Sequence, residues 1–289
     1  MRRVIVTGGA GYLGQAVVAA APDDWECHVT ERRTPAPRGI RHPCDLADAE
    51  GVAALWSQLH PDLVIHTAYG TEDGERDIWL ATRNVVDATI AVGADLLHMS
   101  TDLVFDGESG PYGEDAEPSP VHEYGRWKTQ AERYVRQRAP TAAVVRASLI
   151  TSFDPPDPRT AWVAAGLRGE TAVTLFVDEI RTPILREDLA TQIVEICQLP
   201  ALDRSGVWHL AGPESLSRYA IGALVASAYG LSTQRLRAAR SPRDQDTARP
   251  RDIRLLTRRA DAVLSHRPRS LSEAAALASA ALAPAAAGR

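Results

Sequence analysis

A chain of 289 residues, 45% hydrophobic and 24% charged, is long enough for one large α/β domain or a core carrying a smaller lobe. Its formal charge, 32 − 37 = −5, offers no general attraction to nucleic acid or anionic lipid, and no run of about 18 apolar residues spans a membrane. Cys27, Cys44 and Cys197 are scattered and the eight histidines show no ligand spacing, so free thiols, a reducing cytoplasmic setting and no metal are expected.

In chain order, Arg3 to Thr7 reads as a short buried strand, followed by a glycine-rich loop and a helix over Leu13 to Ala21. The glycines interrupt what would otherwise resemble a secretory leader. Cys27 to Thr30 is a second strand, and Leu63 to His66 has the apolar run of a buried parallel strand. Ile78 to Val92 carries helical spacing, Asp95 to Met99 returns as a strand, Tyr124 to Arg138 is helical, and Ala142 to Arg146 is another strand. Strands alternating with helices predict βαβ units: an α/β, Rossmann-type, doubly wound parallel sheet.

Beyond residue 150 the pattern loosens, and Phe153 to Pro158 must be a loop because its prolines cannot continue a helix. Residues 1–150, with returning segments around 184–210, are expected to form the dinucleotide-binding domain. Residues 151–183 and 211–270 are expected to form a smaller, mostly helical C-terminal substrate lobe. The Ala-rich tail 271–289 is expected to fray over about half its length.

Thr7 to Gly14 fits Gly-x-Gly-x-x-Gly through Gly9, Gly11 and Gly14, and Gly-x-x-Gly-x-x-Gly through Gly8, Gly11 and Gly14. Glycine permits the tight turn and lets backbone N–H groups and a positive helix end approach a pyrophosphate. Its place between a strand and a helix makes it a dinucleotide loop. Past the second strand, Glu31 is positioned to accept from a free ribose 2′-hydroxyl and favours NAD. Arg32 and Arg33 would pair with a 2′-phosphate and favour NADP. Two adjacent arginines are hard to explain as fold stabilisers, so NADP(H) is preferred, with NAD retained as the alternative.

Tyr124 and Lys128 are one helical turn apart and share a face. The ammonium is expected to lower the phenol from its ordinary value near ~10 and make Tyr124 a proton donor and acceptor. Thr101, at the end of the preceding strand, is placed to hydrogen-bond a substrate oxygen. Together with the dinucleotide loop, these residues point to ketone reduction.

On Thr7–Gly14, Ser100–Gly107 (STDLVFDG), Pro118–Glu132, Asp188–Ala190, Gly206–Tyr219 and Pro250-Arg251, the chain resembles the extended short-chain dehydrogenase/reductases, within them the dTDP-4-dehydrorhamnose reductase family. That resemblance implies NAD(P)H and reduction of a 4-keto group on a nucleotide-linked deoxysugar. It carries Thr101, Tyr124 and Lys128 over as catalytic, with Tyr124 and Lys128 also at the cofactor. Gly8, Gly11, Tyr12, Leu13 and Gly14 would lie at the pyrophosphate, Asp45 and Leu46 at the adenine, and Thr67, Ala68 and Tyr69 on the inner ribose side. Leu103 departs from the family's aromatic residue, and Arg146-Ala147-Ser148-Leu149 lacks its tryptophan, so a different sugar or another keto compound is open.

Leu103, where a 4,6-dehydratase needs a carboxylate, cannot act as its base. An epimerase with retained NAD uses the same Tyr/Lys pair and stays open. So does a non-catalytic NADP-binding regulatory subunit, since the β subunit of methionine adenosyltransferase is similar to this family too. The partner expected is a small nucleotide-sugar or other keto substrate; a homodimer is left open.

Overall fold

The computed structural model describes residues 1–242 and 249–286, with side chains up to 281. Six parallel strands, β1 (Arg2–Thr7), β2 (Trp25–Glu31), β3 (Ile40–Pro43), β4 (Leu63–His66), β5 (Asp95–Thr101) and β6 (Ala143–Ala147), are joined by the late strand Gly206–Leu210. Their spatial order is 3-2-1-4-5-6 with Gly206–Leu210 beyond β6, every pairing parallel. The order reverses between β1 and β4, which opens a crevice at the carboxyl ends of the strands.

Period-two alternation explains the layers. Val4, Val6, Leu63, Ile65, Leu97 and Met99 face one side and pack on α1 (Tyr12–Ala20) and the helix Arg186–Gln198. Ile5, Val64, Leu96 and Val144 face the other and pack on α2 (Ala49–Leu59), α3 (Ala81–Ala91) and α4 (Glu123–Arg138). A short π-helix, Glu75–Leu80, runs directly into α3, so this helix begins earlier than the expected Ile78.

A separate core, including Phe153, Val163, Leu175, Ile221 and Val225, holds the C-terminal lobe together. The lobe is less purely helical than expected: short strands Leu216–Ser217 and Arg237–Ala239 lie within it. The tail departs further. Residues Leu271–Ala286 form a helix, while residues 287–289, the end of the segment expected to fray, lie outside the described residues. Ser270 and Glu273 form a reciprocal cap: the Ser270 hydroxyl accepts from the Glu273 amide at 3.1 Å, and the Glu273 carboxylate accepts from the Ser270 amide at 2.9 Å. Leu271, Ala274 and Ala275 then bury one helical face in the lobe core.

All three cysteines are unpaired, and no described helix is long and apolar enough to cross a membrane. Among the described residues no three potential metal ligands converge.

Candidate active site

The glycine loop connects β1 to α1 at the floor of the crevice. Gly11 N–H closes the turn on the Gly8 carbonyl at 2.8 Å, and Gly11 caps α1 without a side chain, leaving the first-turn amides of Tyr12, Leu13 and Gly14 for an anion. A Cβ on Gly14 would lie 2.3 Å from the Gly8 carbonyl oxygen, so only glycine lets the helix sit this close to the turn. Thr7 ties the neighbouring wall to this floor: its hydroxyl accepts from the amides of Thr67 at 3.1 Å and Ala68 at 3.2 Å. The Arg186 guanidinium lies over the Tyr12 ring, 4.7 Å from its centroid. These amides and the space that the glycines keep clear fit a dinucleotide pyrophosphate.

Thr101, Tyr124 and Lys128 converge at the C-terminal edge of β5. Thr101 ends the strand and caps a 3-10 turn, its hydroxyl accepting from the Leu103 amide at 3.2 Å. Gly125 makes the close approach of α4 possible, because a Cβ there would lie 2.2 Å from the Leu103 carbonyl. The Thr101 hydroxyl donates to the Asp102 carboxylate at 3.3 Å, and the Tyr124 ring sits 5.9 Å from that of Tyr69. Lys128 is buried, donates to the Met99 carbonyl at 3.0 Å and lies 5.5 Å from the Tyr69 ring centroid.

The electrostatics correct one expectation. Tyr124 is raised, not lowered: burial is the main cause, with Tyr69 and Asp102 adding to it, and Thr101 and Arg159 opposing. Burial also depresses Lys128 to about 8, with Glu132 opposing. The phenol is therefore a firmly protonated acid in the free protein.

At the adenosine end, Arg32, Arg33 and Asp45 do meet, around a cavity of about 310 Å³. Glu31 lies at the same turn, one oxygen of its carboxylate accepting from the Ala36 amide at 2.7 Å. The Leu46 side chain is turned into the core, and its carbonyl accepts from Asn84 at 3.0 Å. Four residues of the cavity carried no sequence signal, Glu72, Asp73, Arg76 and Asp77, the last two presented side by side by the π-helical turn. Asp102, Arg181 and Arg218 were missed as well. Burial raises the Asp102 carboxyl while both arginines oppose that shift, and Ser148 donates to it at 3.1 Å. They carry no spacing signal, because the arginines come from the lobe.

A phosphate-cradling loop at the switch point and a Thr–Tyr–Lys set beside it define a short-chain dehydrogenase/reductase-type Rossmann protein. The model of the RmlD substrate binding domain matches residues 1–283, and the chain belongs to that family, whose dTDP-4-dehydrorhamnose reductases it resembles. It is 29% identical over 266 residues to methionine adenosyltransferase 2 subunit beta of Xenopus laevis, covering 82% of this chain and 75% of that one. A probable low-salt glycan biosynthesis reductase of Haloferax volcanii is 31% identical over 265 residues, covering 85% of this chain and 87% of that one. Among solved structures, a dTDP-4-dehydrorhamnose reductase of Bacillus anthracis in complex with NADP superposes with a TM-score of 0.81 at 20% identity, over 96% of this chain and 98% of that one.

Proposed function

We propose that the protein reduces a ketone with NAD(P)H, the substrate being the 4-keto group of a nucleotide-linked deoxysugar such as a dTDP-sugar. The convergence of Thr101, Tyr124 and Lys128 beside the glycine loop carries this reading, because a generic nucleotide binder needs no buried proton donor there. The similarity to a glycan biosynthesis reductase supports the substrate class.

A bound nicotinamide dinucleotide would supply the hydride, held by the Gly8–Gly14 turn, by Thr67 to Tyr69 and at its adenosine end by Arg32 and Arg33. Thr101 donates a hydrogen bond to the carbonyl oxygen and polarises it. Tyr124 holds its proton until negative charge develops on that oxygen, then transfers it. Lys128, anchored on Met99, fixes the phenol's side of the crevice and presents its remaining donors to the nicotinamide ribose. Arg32 and Arg33 at the adenosine end favour NADP(H), with NAD as the alternative.

A panel of dTDP-4-keto-6-deoxysugars with NADPH and NADH, followed by loss of reduced-coenzyme absorbance, tests this. Turnover of at least one sugar is expected; turnover of none rejects a dTDP-4-keto-6-deoxysugar as the substrate. The specific similarity to methionine adenosyltransferase 2 subunit beta favours a second reading, a non-catalytic regulatory subunit. Stable copurification with a larger enzyme, together with absent turnover, would select it.

A further inference from the structure

Three arginines (Arg32, Arg33 and Arg76) and four carboxylates (Asp45, Glu72, Asp73 and Asp77) line the cavity at the adenosine end. The count, 3 − 4 = −1, is unexpected for a site that receives a phosphate dianion. Pairing explains where the positive charge has gone. Arg32 forks onto Asp77, Nη1 to Oδ1 at 2.6 Å and Nη2 to Oδ2 at 3.2 Å. Arg76 donates to the same carboxylate at 2.7 Å and reaches on to Asp45. Arg33, by contrast, stands 3.8 Å from Glu72, and both are largely exposed, so that pair is weak.

Asp77 is 10% exposed, and Arg32 holds its carboxyl below the ordinary range despite desolvation. It is therefore ionised and fully engaged. Its bidentate geometry is the one a phosphate would use on the same guanidinium. A 2′-phosphate and Asp77 compete for Arg32, whereas a free 2′-hydroxyl leaves the ion pair intact.

We propose that Asp77 is the specificity-determining residue of the dinucleotide site: by holding Arg32 it penalises a 2′-phosphorylated dinucleotide and keeps the unphosphorylated one acceptable. The inference rests on reading Arg32 as facing the ribose 2′-position. It adds an opposing carboxylate, 45 residues away in sequence, that sets how strongly the arginine can act.

The test is direct binding of NADPH and NADH, read by coenzyme fluorescence with no keto substrate present, to wild type, Asp77→Asn, Asp77→Ser, Arg32→Gln and the double variant Arg32→Gln/Asp77→Asn. Both Asp77 variants should bind NADPH about tenfold or more tightly than wild type, with NADH changed less than about twofold. The gain should vanish in the Arg32→Gln background, as coupling through one guanidinium requires. Unchanged or weakened NADPH binding in whichever Asp77 variant folds overturns the proposal, as does an equal gain for both dinucleotides or a gain that survives Arg32→Gln. A wild type that binds only NADH would reject the NADP(H) preference alone; NADPH binding gained on replacing Asp77 would still support this role.

Discussion

Tyr124 and Lys128 are both shifted by their surroundings. Burial keeps the phenol protonated and weakens the hold of Lys128 on its own proton. Removing the phenolic proton with Tyr124→Phe should lower kcat by about 10²–10⁴-fold and leave NADPH affinity nearly unchanged, measured by steady-state kinetics and fluorescence titration. Full activity in that variant would reject Tyr124 as the acid. For Lys128, the fall from its ordinary 10.5 to about 8 has a stability consequence. Between those values the unfolded chain binds a proton that the folded chain has released, so this group makes stability rise with pH across that window. Below pH 8 the folded protein carries a buried charge at a cost. Lys128→Met keeps the stem and deletes the charge. Its melting temperature relative to wild type should be most favourable below pH 8 and should decline towards pH 10.5, while NADPH binding and rate both fall. A difference that does not vary with pH would show that the ammonium is not penalised.

At the scale of elements, α4 is fixed to the sheet by a dry ion pair as well as by apolar packing. Glu132 accepts from Arg146 Nε at 3.1 Å and from Nη2 at 2.8 Å, with side chains only 2% and 1% exposed. The same helix carries Tyr124 and Lys128. Glu132→Gln leaves an uncompensated guanidinium and should cost about 3–5 kcal/mol in urea unfolding. Replacing both partners, Glu132→Leu with Arg146→Met, should cost much less. A loss under about 1 kcal/mol for the single variant would mean that water reaches the pair. Neither partner announces itself in sequence, since a Glu on a helix and an Arg in a strand 14 residues later have no fixed spacing. The glycine loop and the Tyr-x-x-x-Lys turn were legible for the opposite reason. Each is local, and its function is carried by backbone shape or helical periodicity. The Arg32–Asp77 contact was hidden because crossing from β2 to the segment after β4 needs the sheet order, not the sequence order. The direction of the Tyr124 shift was hidden likewise, because it is set mainly by burial, with Tyr69 and Asp102 adding to it, and burial is a property of the folded chain.

On the scale of the molecule, two cores meet across the crevice, one under the dinucleotide loop and one inside the lobe. The alternation of strands and helices made the first readable, whereas the second is assembled from short strands and separated helices whose apolar residues follow no single period. The tail shows how much a local signal can be underweighted: Ser270-Leu271-Ser272-Glu273 has the spacing of a capping box, and alanine composition alone obscured it. Arg269, just before this helix, donates to Asp188 through both backbone, at 2.9 Å, and guanidinium, at 3.0 Å, and Asp188 lies on the helix Arg186–Gln198 that also packs under the sheet. The tail therefore braces the lobe from a point anchored near the dinucleotide side. Ending the chain after residue 270 removes Leu271, Ala274 and Ala275 from the lobe core and uncovers Ile221 and Val225. Loss of the leucine alone should cost about 2–3 kcal/mol of burial, concentrated in the lobe. Because the glycine loop and the Arg32 cavity belong to the other core, NADPH binding should stay within about threefold of the full chain. KM for the keto substrate should rise and limited proteolysis should cut first between residues 211 and 242. Equal loss of cofactor binding and substrate affinity would instead mean that the two cores unfold as one unit.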